Sequence, residues 1–477
     1  MKYREYINYL ILFVLCAFVL LQSPFAPYAK GVVGNDSSIF VTIAKNIIQG
    51  DVLYRDIADH KGPVIFIINA LALWVFNGNL VGIWVFEVLS MWIASIFMYR
   101  TIRLKASQIV SLSVTILSLT FVVPLLFGGN LTEEWALPCI SIAMFLFVRY
   151  LYNNTPFSIP SLFVLSLTFL LAFLLKASYV CIWVGFGSVI IVKLLVNKRF
   201  KEFFFDLIVV IVSLLVLLLP IGLYFYRNGA LDDAWHWMIS FNMKLGDGSS
   251  WMTLNHMAQT LLGLRHIPVM VLMTFCLVLY KKESYNPYVF WGWLASFVIT
   301  AFSVAIGNRF EHYNIIFAPL LVYIYGSLFQ FLNIDTRTKE VVLLALVLGS
   351  GYLYNVKTSA ICNYSEFYVE HTQNKSMIKD IVCTIDDNSS AGDSIIGDDI
   401  TRSIYVYTHC KCGNKYLSNA SPYNVSDEIL EKNPEVVVKN REHDGTSLEI
   451  RTSILEGNYR FIAQHGKYEV WRRLANK

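Results

Sequence analysis

Long apolar runs recur along this chain, separated by short polar segments. A helix needs about 20 consecutive apolar residues to cross a bilayer, with roughly 17 as the lower limit. Runs of this kind cover Tyr6–Ser23, Val81–Tyr99, Ile109–Phe127, Trp135–Tyr152, Leu162–Leu175, Tyr179–Val196 and Leu207–Tyr226. Four more cover Ile267–Tyr280, Tyr288–Ile306, Tyr313–Phe331 and Val341–Tyr354. Only 15% of the 477 residues are charged, against about 25% in soluble domains. The expectation is a polytopic α-helical membrane protein with about 11 transmembrane helices. The first run follows Lys2 and Arg4 without a small-residue cleavage site close behind, so it reads as a retained anchor.

The run Val64–Phe76 sets the orientation. Were it to span, Arg100, Arg103 and Lys105 would lie outside, against the positive-inside rule. With that run re-entrant or interfacial, Lys2/Arg4, Arg100/Arg103/Lys105, Arg149, Lys193/Lys198/Arg199/Lys201, Lys281/Lys282 and Arg337/Lys339 all fall on the cytoplasmic side. The N-terminus is then cytoplasmic and residues 24–80 form the first extracytoplasmic loop. In that loop Ile39, Phe40, Ile43, Ile47 and Ile48 recur at helical spacing, as in a helix lying on a membrane, with Asp36 and Ser37 at its N-cap.

From about Thr358 the character changes. Residues 1–357 read as the membrane domain and 358–477 as a small extracytoplasmic α/β domain. Its β-prone runs are Ser394-Ile-Ile-Gly, Ser403-Ile-Tyr-Val-Tyr, Glu435-Val-Val-Val and Tyr468-Glu-Val-Trp. Asp386-Asp387 and Asp398-Asp399 read as turn acids. Cys362, Cys383, Cys410 and Cys412 allow up to two disulfides, with metal binding ranked below disulfide or free thiol. The net charge of +4 is spread out, and no Lys/Arg block points to nucleic acid.

Ionisable residues gather at the outer ends of the runs. They are Asp36, Asp56, Asp59, His60 and Lys61 in the first loop; Glu133 and Glu134; Lys176; Arg265 and His266; and Arg309, Glu311 and His312. A charge at membrane depth costs roughly 2.5–3.5 kcal/mol, so each requires a partner or a wet cavity. A single Lys or His at a helix end is most often a headgroup contact; five such sets on one face are a different matter. Carboxylates can deprotonate a hydroxyl or hold a divalent metal, and Lys, Arg and His can stabilise a departing phosphate. Such a mixture on the outer side suits a lipid-phosphate donor.

Asp36, the helix ending at Gly50, Leu53-Tyr54-Arg55-Asp56 and His60-Lys61-Gly62-Pro63 together resemble the start of a GT-C glycosyltransferase. The pattern is similar to bacterial polyprenyl-phosphate-sugar enzymes related to protein O-mannosyltransferases and the lipid A aminoarabinose transferase. Asn130-Leu-Thr-Glu-Glu-Trp, Leu175-Lys176 and Asn308-Arg-Phe-Glu-His-Tyr313 agree with it. The resemblance implies inverting transfer of a sugar from a polyprenyl-phosphate carrier to an extracytoplasmic glycan, polymer or protein. Asp36 would be the general base. His60, Lys61, Lys176 and Arg309 would bind the donor phosphate, and Asp56, Asp59, Glu133, Glu134 and His312 the sugar or acceptor. Relatives carry an acidic pair where this chain has Asn35-Asp36, so a divalent metal, with Asp36 as its ligand, is left open. Lys-Gly-Pro also replaces their Lys-Pro-Pro.

The competing readings are an O-antigen-type polymerase or ligase and a lipid-linked glycan transporter or flippase. The first relies on arginines in a large late loop, whereas here the first loop is the rich one. The second favours broken spans, midplane charges and internal repeats, and the charges here lie at span ends.

Overall fold

A computed structural model describes residues 2–29, 32–126, 128–247, 286–306, 310–331, 338, 362–398, 402–417, 423–441 and 450–474. The helices in chain order begin with α1 (Lys2–Val19), α2 (Asn35–Ile48), α3 (Pro63–Val75), α4 (Val81–Arg103), α5 (Gln108–Val122) and α6 (Thr132–Asn153). Next come α7 (Ile159–Leu175), α8 (Cys181–Val196), α9 (Phe200–Arg227), α10 (Leu231–Trp235), α11 (Phe241–Asp247), α12 (Pro287–Ile306) and α13 (Ala318–Phe331). The C-terminal region holds α14 (Cys362–Asp387), α15 (Arg402–Tyr407), α16 (Val425–Lys432) and α17 (Thr452–Asn458).

Six stretches among the described residues are long and apolar enough to cross a membrane: Glu5–Gln22, Val81–Arg103, Thr132–Asn153, Ala177–Val196, Phe200–Arg227 and Pro287–Val304. The chain is a multi-pass membrane protein. Gln108–Leu119, Ile159–Leu175 and His312–Tyr323 are shorter apolar helices. So is Pro63–Val75, whose 13 residues rise only about 20 Å and fall short of a bilayer core of about 30 Å. The expected spans Ile267–Tyr280 and Val341–Tyr354 lie outside the described residues.

The chain divides into two compact units. One comprises Met1–Leu21, Val85–Leu223 and Met243–Ile361. In it α8 and α12 pack closely, with Gly185 against the Ser296 backbone and side chain and Gly292 against the Phe186 ring. Neither glycine has room for a Cβ, and small residues of this kind let apolar helices approach where no hydrophobic effect drives them together. At one end of this bundle Arg100 stands over Phe145 (4.8 Å), Lys193 over Tyr150 (5.1 Å) and Lys105 over Tyr152 (4.5 Å). These contacts place each cation over an aromatic face, and Lys193 is buried there.

The other unit comprises Gln22–Trp84, Tyr224–Asn242 and Cys362–Lys477. Its sheet has the order β2-β1-β3-β5-β4, with β1 (Ser394–Gly397), β2 (Lys411–Cys412), β3 (Val436–Asn440), β4 (Tyr459–His465) and β5 (Tyr468–Arg473). β1 runs parallel to β2 and β3; β5 runs antiparallel to β3 and β4. Ile396, Val437, Val425, Ile429, Leu455 and Tyr459 join in one core between sheet and helices. Three β-prone runs of the sequence are strands, but Ser403–Tyr407 is not. It belongs to α15, whose last carbonyls are held by the ammonium of Lys45: Nζ donates to Tyr405 O (2.8 Å), Val406 O (3.2 Å) and Thr408 O (2.8 Å). A cation at a helix C-terminus satisfies orphan carbonyls and the helix dipole at once, overriding a weak β propensity.

Cys383, Cys410 and Cys412 are free thiols. Asp398 caps the end of β3 by accepting from Asn440 N (2.7 Å).

Candidate functional site

α2 starts two residues earlier than an Asp36 cap would have it. Its N-cap is Gly34, in extended conformation without a side-chain cap bond, so Asp36 lies inside the first turn and does not cap it. Ser38 donates back to Gly34 O at 2.6 Å. Asp36 is half-buried, near the positive end of the helix dipole, where a carboxylate is favoured. Ile39, Phe40, Ile43 and Ala44 are buried. The apolar side that the spacing assigned to a membrane surface packs on α3, with Phe40 against Phe66 at 5.9 Å.

From α2 the chain turns through Tyr54, which has a left-handed φ of 70°. Tyr54 is fully buried, and its hydroxyl donates to Lys61 O at 2.7 Å. Asp56 is committed locally: it takes two 2.8 Å bonds from Arg55 and one of 2.8 Å from Val52 N. The Arg55 guanidinium holds its carboxyl below the usual range.

Asp59 is fully buried and organises the His60-Lys61 pair. Its Oδ1 accepts from Lys61 N (2.9 Å) and lies 3.5 Å from Lys61 Nζ, while Oδ2 is 3.8 Å from His60 Nδ1. Burial pushes the Asp59 carboxyl up, but Lys61 and His60 outweigh it and hold it below the usual carboxylate range. Lys61 also stands 5.2 Å over the Phe40 ring. Asp59 therefore aims Lys61, and Tyr54 fixes the backbone that carries it.

Residues from far along the chain complete this cluster. Tyr416 OH lies 2.8 Å from His60 Nδ1, and Ala58 N donates to Lys415 O (2.7 Å). Trp237 stacks on Tyr416 at 4.6 Å. It sits in a π-helical turn, His236–Ser240, between α10 and α11. Asn242, just after that turn, donates to His60 O at 2.7 Å. π turns of this kind concentrate at functional sites. Arg402, at the start of α15, is 7% exposed. Burial lowers its guanidinium pKa, opposed first by the Asp36 and then by the Asp59 carboxylate. The sequence offered no signal for Arg402, Tyr416 or Trp237, because each is defined by a partner over 150 residues away.

A second cluster forms in the other unit. Glu133 and Glu134 open α6 and are buried, at the end where the helix dipole favours carboxylates. Tyr179 donates to Glu133 and lies 2.7 Å from Thr132 Oγ1. Lys176 ends α7 in extended conformation, which turns its Nζ to 3.9 Å from Glu133 and 3.7 Å over the Tyr313 ring. His312 adjoins Tyr313 at 4.8 Å and stacks on Phe310. Lys176, Glu133 and the His312-Tyr313 pair are thus brought together. Arg309, Arg265 and His266 lie outside the described residues.

The metal question has a limited answer among the described residues. Three His, Cys and Asp ligand atoms converge within 4.8 Å only at Asp386, His409 and Cys410. There Asp386 already accepts from Thr408 Oγ1 (2.6 Å) and His409 N (3.2 Å), and burial raises the Cys410 thiol. A raised thiol resists the deprotonation a metal requires. Asp36 belongs to no such group among the described residues.

Residues 1–344 match the family described as competence-induced protein Ccs4, N-terminal domain. No curated protein matches the sequence significantly. ArnT from Cupriavidus metallidurans bound to undecaprenyl phosphate is similar in structure at a TM-score of 0.64 and 12% identity, over 98% of this chain and 98% of that one. Its apo state gives 0.62 at 11% identity, over 97% of each chain. An Archaeoglobus fulgidus oligosaccharyltransferase in complex with Zn and sulfate gives 0.54 at 13% identity, over 90% of this chain and 68% of that one. The likeness is one of fold, and the fold is the GT-C architecture that the first loop resembled.

Proposed function

The chain belongs to the Ccs4 N-terminal-domain family, and we propose that it is an inverting glycosyltransferase using a polyprenyl-phosphate-linked sugar. The acceptor is a glycan, polymer or protein on the outer side of the membrane. The N-terminus lies in the cytoplasm, about 11 helices span, and residues 358–477 form the extracytoplasmic domain. The observation that carries the reading is the buried Asp59 aiming Lys61 and His60 in the same unit as Asp36. A carboxylate base and a cationic phosphate clamp are the two groups that such a transfer requires. The GT-C fold and the undecaprenyl phosphate in ArnT support the donor class.

In the step, Asp36 takes the proton of the acceptor hydroxyl. The acceptor oxygen bonds to the anomeric carbon from the face opposite the phosphate. The carbon–oxygen bond to phosphate breaks, and its electron pair leaves with the polyprenyl phosphate. Lys61, His60, Lys176 and Arg309 bind that phosphate. Glu133, Glu134 and His312 bind sugar or acceptor hydroxyls. Asp59 serves by placing Lys61, and Asp56 by bracing the turn.

The test is incubation of purified protein with a panel of polyprenyl-phosphate sugars, with and without EDTA. Release of polyprenyl phosphate with one of them is expected. Neither binding nor release with any donor would overturn the reading.

A further inference from the structure

At the end of α8 a cation is enclosed without an anion. Lys193 stands in the last turn of that helix and is 5% exposed. Its ammonium lies 5.1 Å over the ring of Tyr150 on α6 and 5.3 Å over the ring of Tyr288 at the start of α12. Among the described residues it meets no carboxylate and no hydrogen-bond acceptor. The carboxylate that shares Tyr150 with it is already engaged. Glu202 accepts from the Tyr150 hydroxyl at 2.9 Å and pairs with Arg199, which in turn donates to Asn154 Oδ1 at 3.0 Å. Asp206, one turn further along α9, forms no ion pair with Lys193. All of these residues belong to one compact unit.

We propose that Lys193 binds the phosphate of an anionic membrane lipid. A buried charge is tolerated when it is paired and hydrogen-bonded. Two ring faces attract the ammonium but offer no lone pair, so its three N–H donors still lack acceptors. Phosphate oxygens supply the negative charge and the acceptors together. The ammonium is not sealed off, so a ligand can reach it.

The lipid origin follows from where Lys193 stands. Ala177–Val196 is long and apolar enough to cross a membrane, and Lys193 lies in its last turn, at headgroup level. Val192 beside it and Val196 one turn on are apolar and exposed, so the lipid-facing surface of α8 continues up to the lysine. Basic pockets between spanning helices bind anionic headgroups on the cytoplasmic side, the side proposed above for this end of α8. The site is not that of the sugar donor. Lys176 precedes the other end of α8, whose 16 residues rise about 24 Å, and the proposal does not depend on the donor reading.

The experiment is native mass spectrometry of the full-length protein in detergent, titrated with phosphatidylglycerol or with phosphatidylcholine of the same acyl chains. The wild type is expected to retain phosphatidylglycerol preferentially. Lys193→Met keeps the length of the stem; it should lose affinity for phosphatidylglycerol at least tenfold and bind phosphatidylcholine as the wild type does. Lys193→Arg should keep part of the preference. Lys198→Gln removes the same charge from an exposed position just beyond α8 and should change nothing. Glycerol 3-phosphate at the lipid's concentration should not displace it. A wild type without preference, or an undiminished preference in Lys193→Met, overturns the proposal. So does equal loss of both lipids in Lys193→Met, which marks a packing role, or an equal loss in Lys198→Gln, which marks diffuse surface charge. Displacement by glycerol 3-phosphate overturns it too, since the ligand would then be a free phosphate.

Discussion

The hydroxyl of Tyr416 lies 2.8 Å from Nδ1 of His60, across 356 residues of sequence. With the Tyr416 hydroxyl donating, Nδ1 is the acceptor and the remaining proton sits on Nε2. Tyr416→Phe keeps the stack on Trp237 and removes this bond. Its stability should fall by about 1 kcal/mol, measured by denaturant unfolding. Turnover should fall about tenfold with a shifted pH profile. A profile identical to the wild type would show that the tyrosine only packs.

Lys45→Met deletes the cation that closes α15. Charge-assisted bonds to three carbonyls are lost, and the expected destabilisation is roughly 3 kcal/mol. Hydrogen exchange of residues 402–408 should accelerate in the variant. Unchanged protection there would mean that α15 holds without Lys45.

Asp36→Asn should fold and insert normally, because Gly34 and not Asp36 is the N-cap. Turnover should drop by roughly 10²–10⁴, the usual contribution of a general base. Wild-type turnover in this variant would remove Asp36 from the chemistry.

In the second cluster, Tyr179→Phe removes the donor to Glu133 and the contact with Thr132. A buried carboxylate that loses a bond costs about 1–3 kcal/mol, so the melting temperature in detergent should fall. Lys176→Ala should weaken use of the donor more than of the acceptor. Equal weakening of both would argue against a phosphate role for Lys176.

Asp59 gives a pH test. Its carboxyl is held below the usual range, so it contributes stability that is full above the unfolded value near pH 4 and is lost as pH falls through the lower folded value. Asp59→Asn has no such term. The stability gap between wild type and variant should be flat near neutrality and shrink as the pH falls below about 4. A gap independent of pH would show that Asp59 is not ionised in the folded protein.

Local signals were readable from the sequence. Apolar run length located the helices, alternation and β-branching located β1, β3 and β5, and the close spacing of Asp59, His60 and Lys61 marked one cluster before any fold was known. What the sequence concealed depends on distant partners. Ser403–Tyr407 carries β-prone residues and forms a helix because Lys45 caps it. Asp36 looked like a cap because its neighbours are cap formers, yet Gly34 holds that position. Arg402 is an ordinary arginine beside two turn acids until α15 packs on α2 and it is buried.

The seam between α2 and the segment 402–416 also bears on how the protein is made. Lys45, Asn46, Asp51 and His60 find partners separated by 356 to 366 residues. At roughly 5–20 residues per second of synthesis, the first loop waits on the order of tens of seconds before those partners exist. Through that interval Lys45 has no carbonyls to hold and His60 no hydroxyl. A nascent chain can therefore insert its early helices, but it cannot close this seam until residues 402–416 have emerged. A chain cut before residue 402 would leave Lys45, Asn46, Asp51 and His60 without these partners.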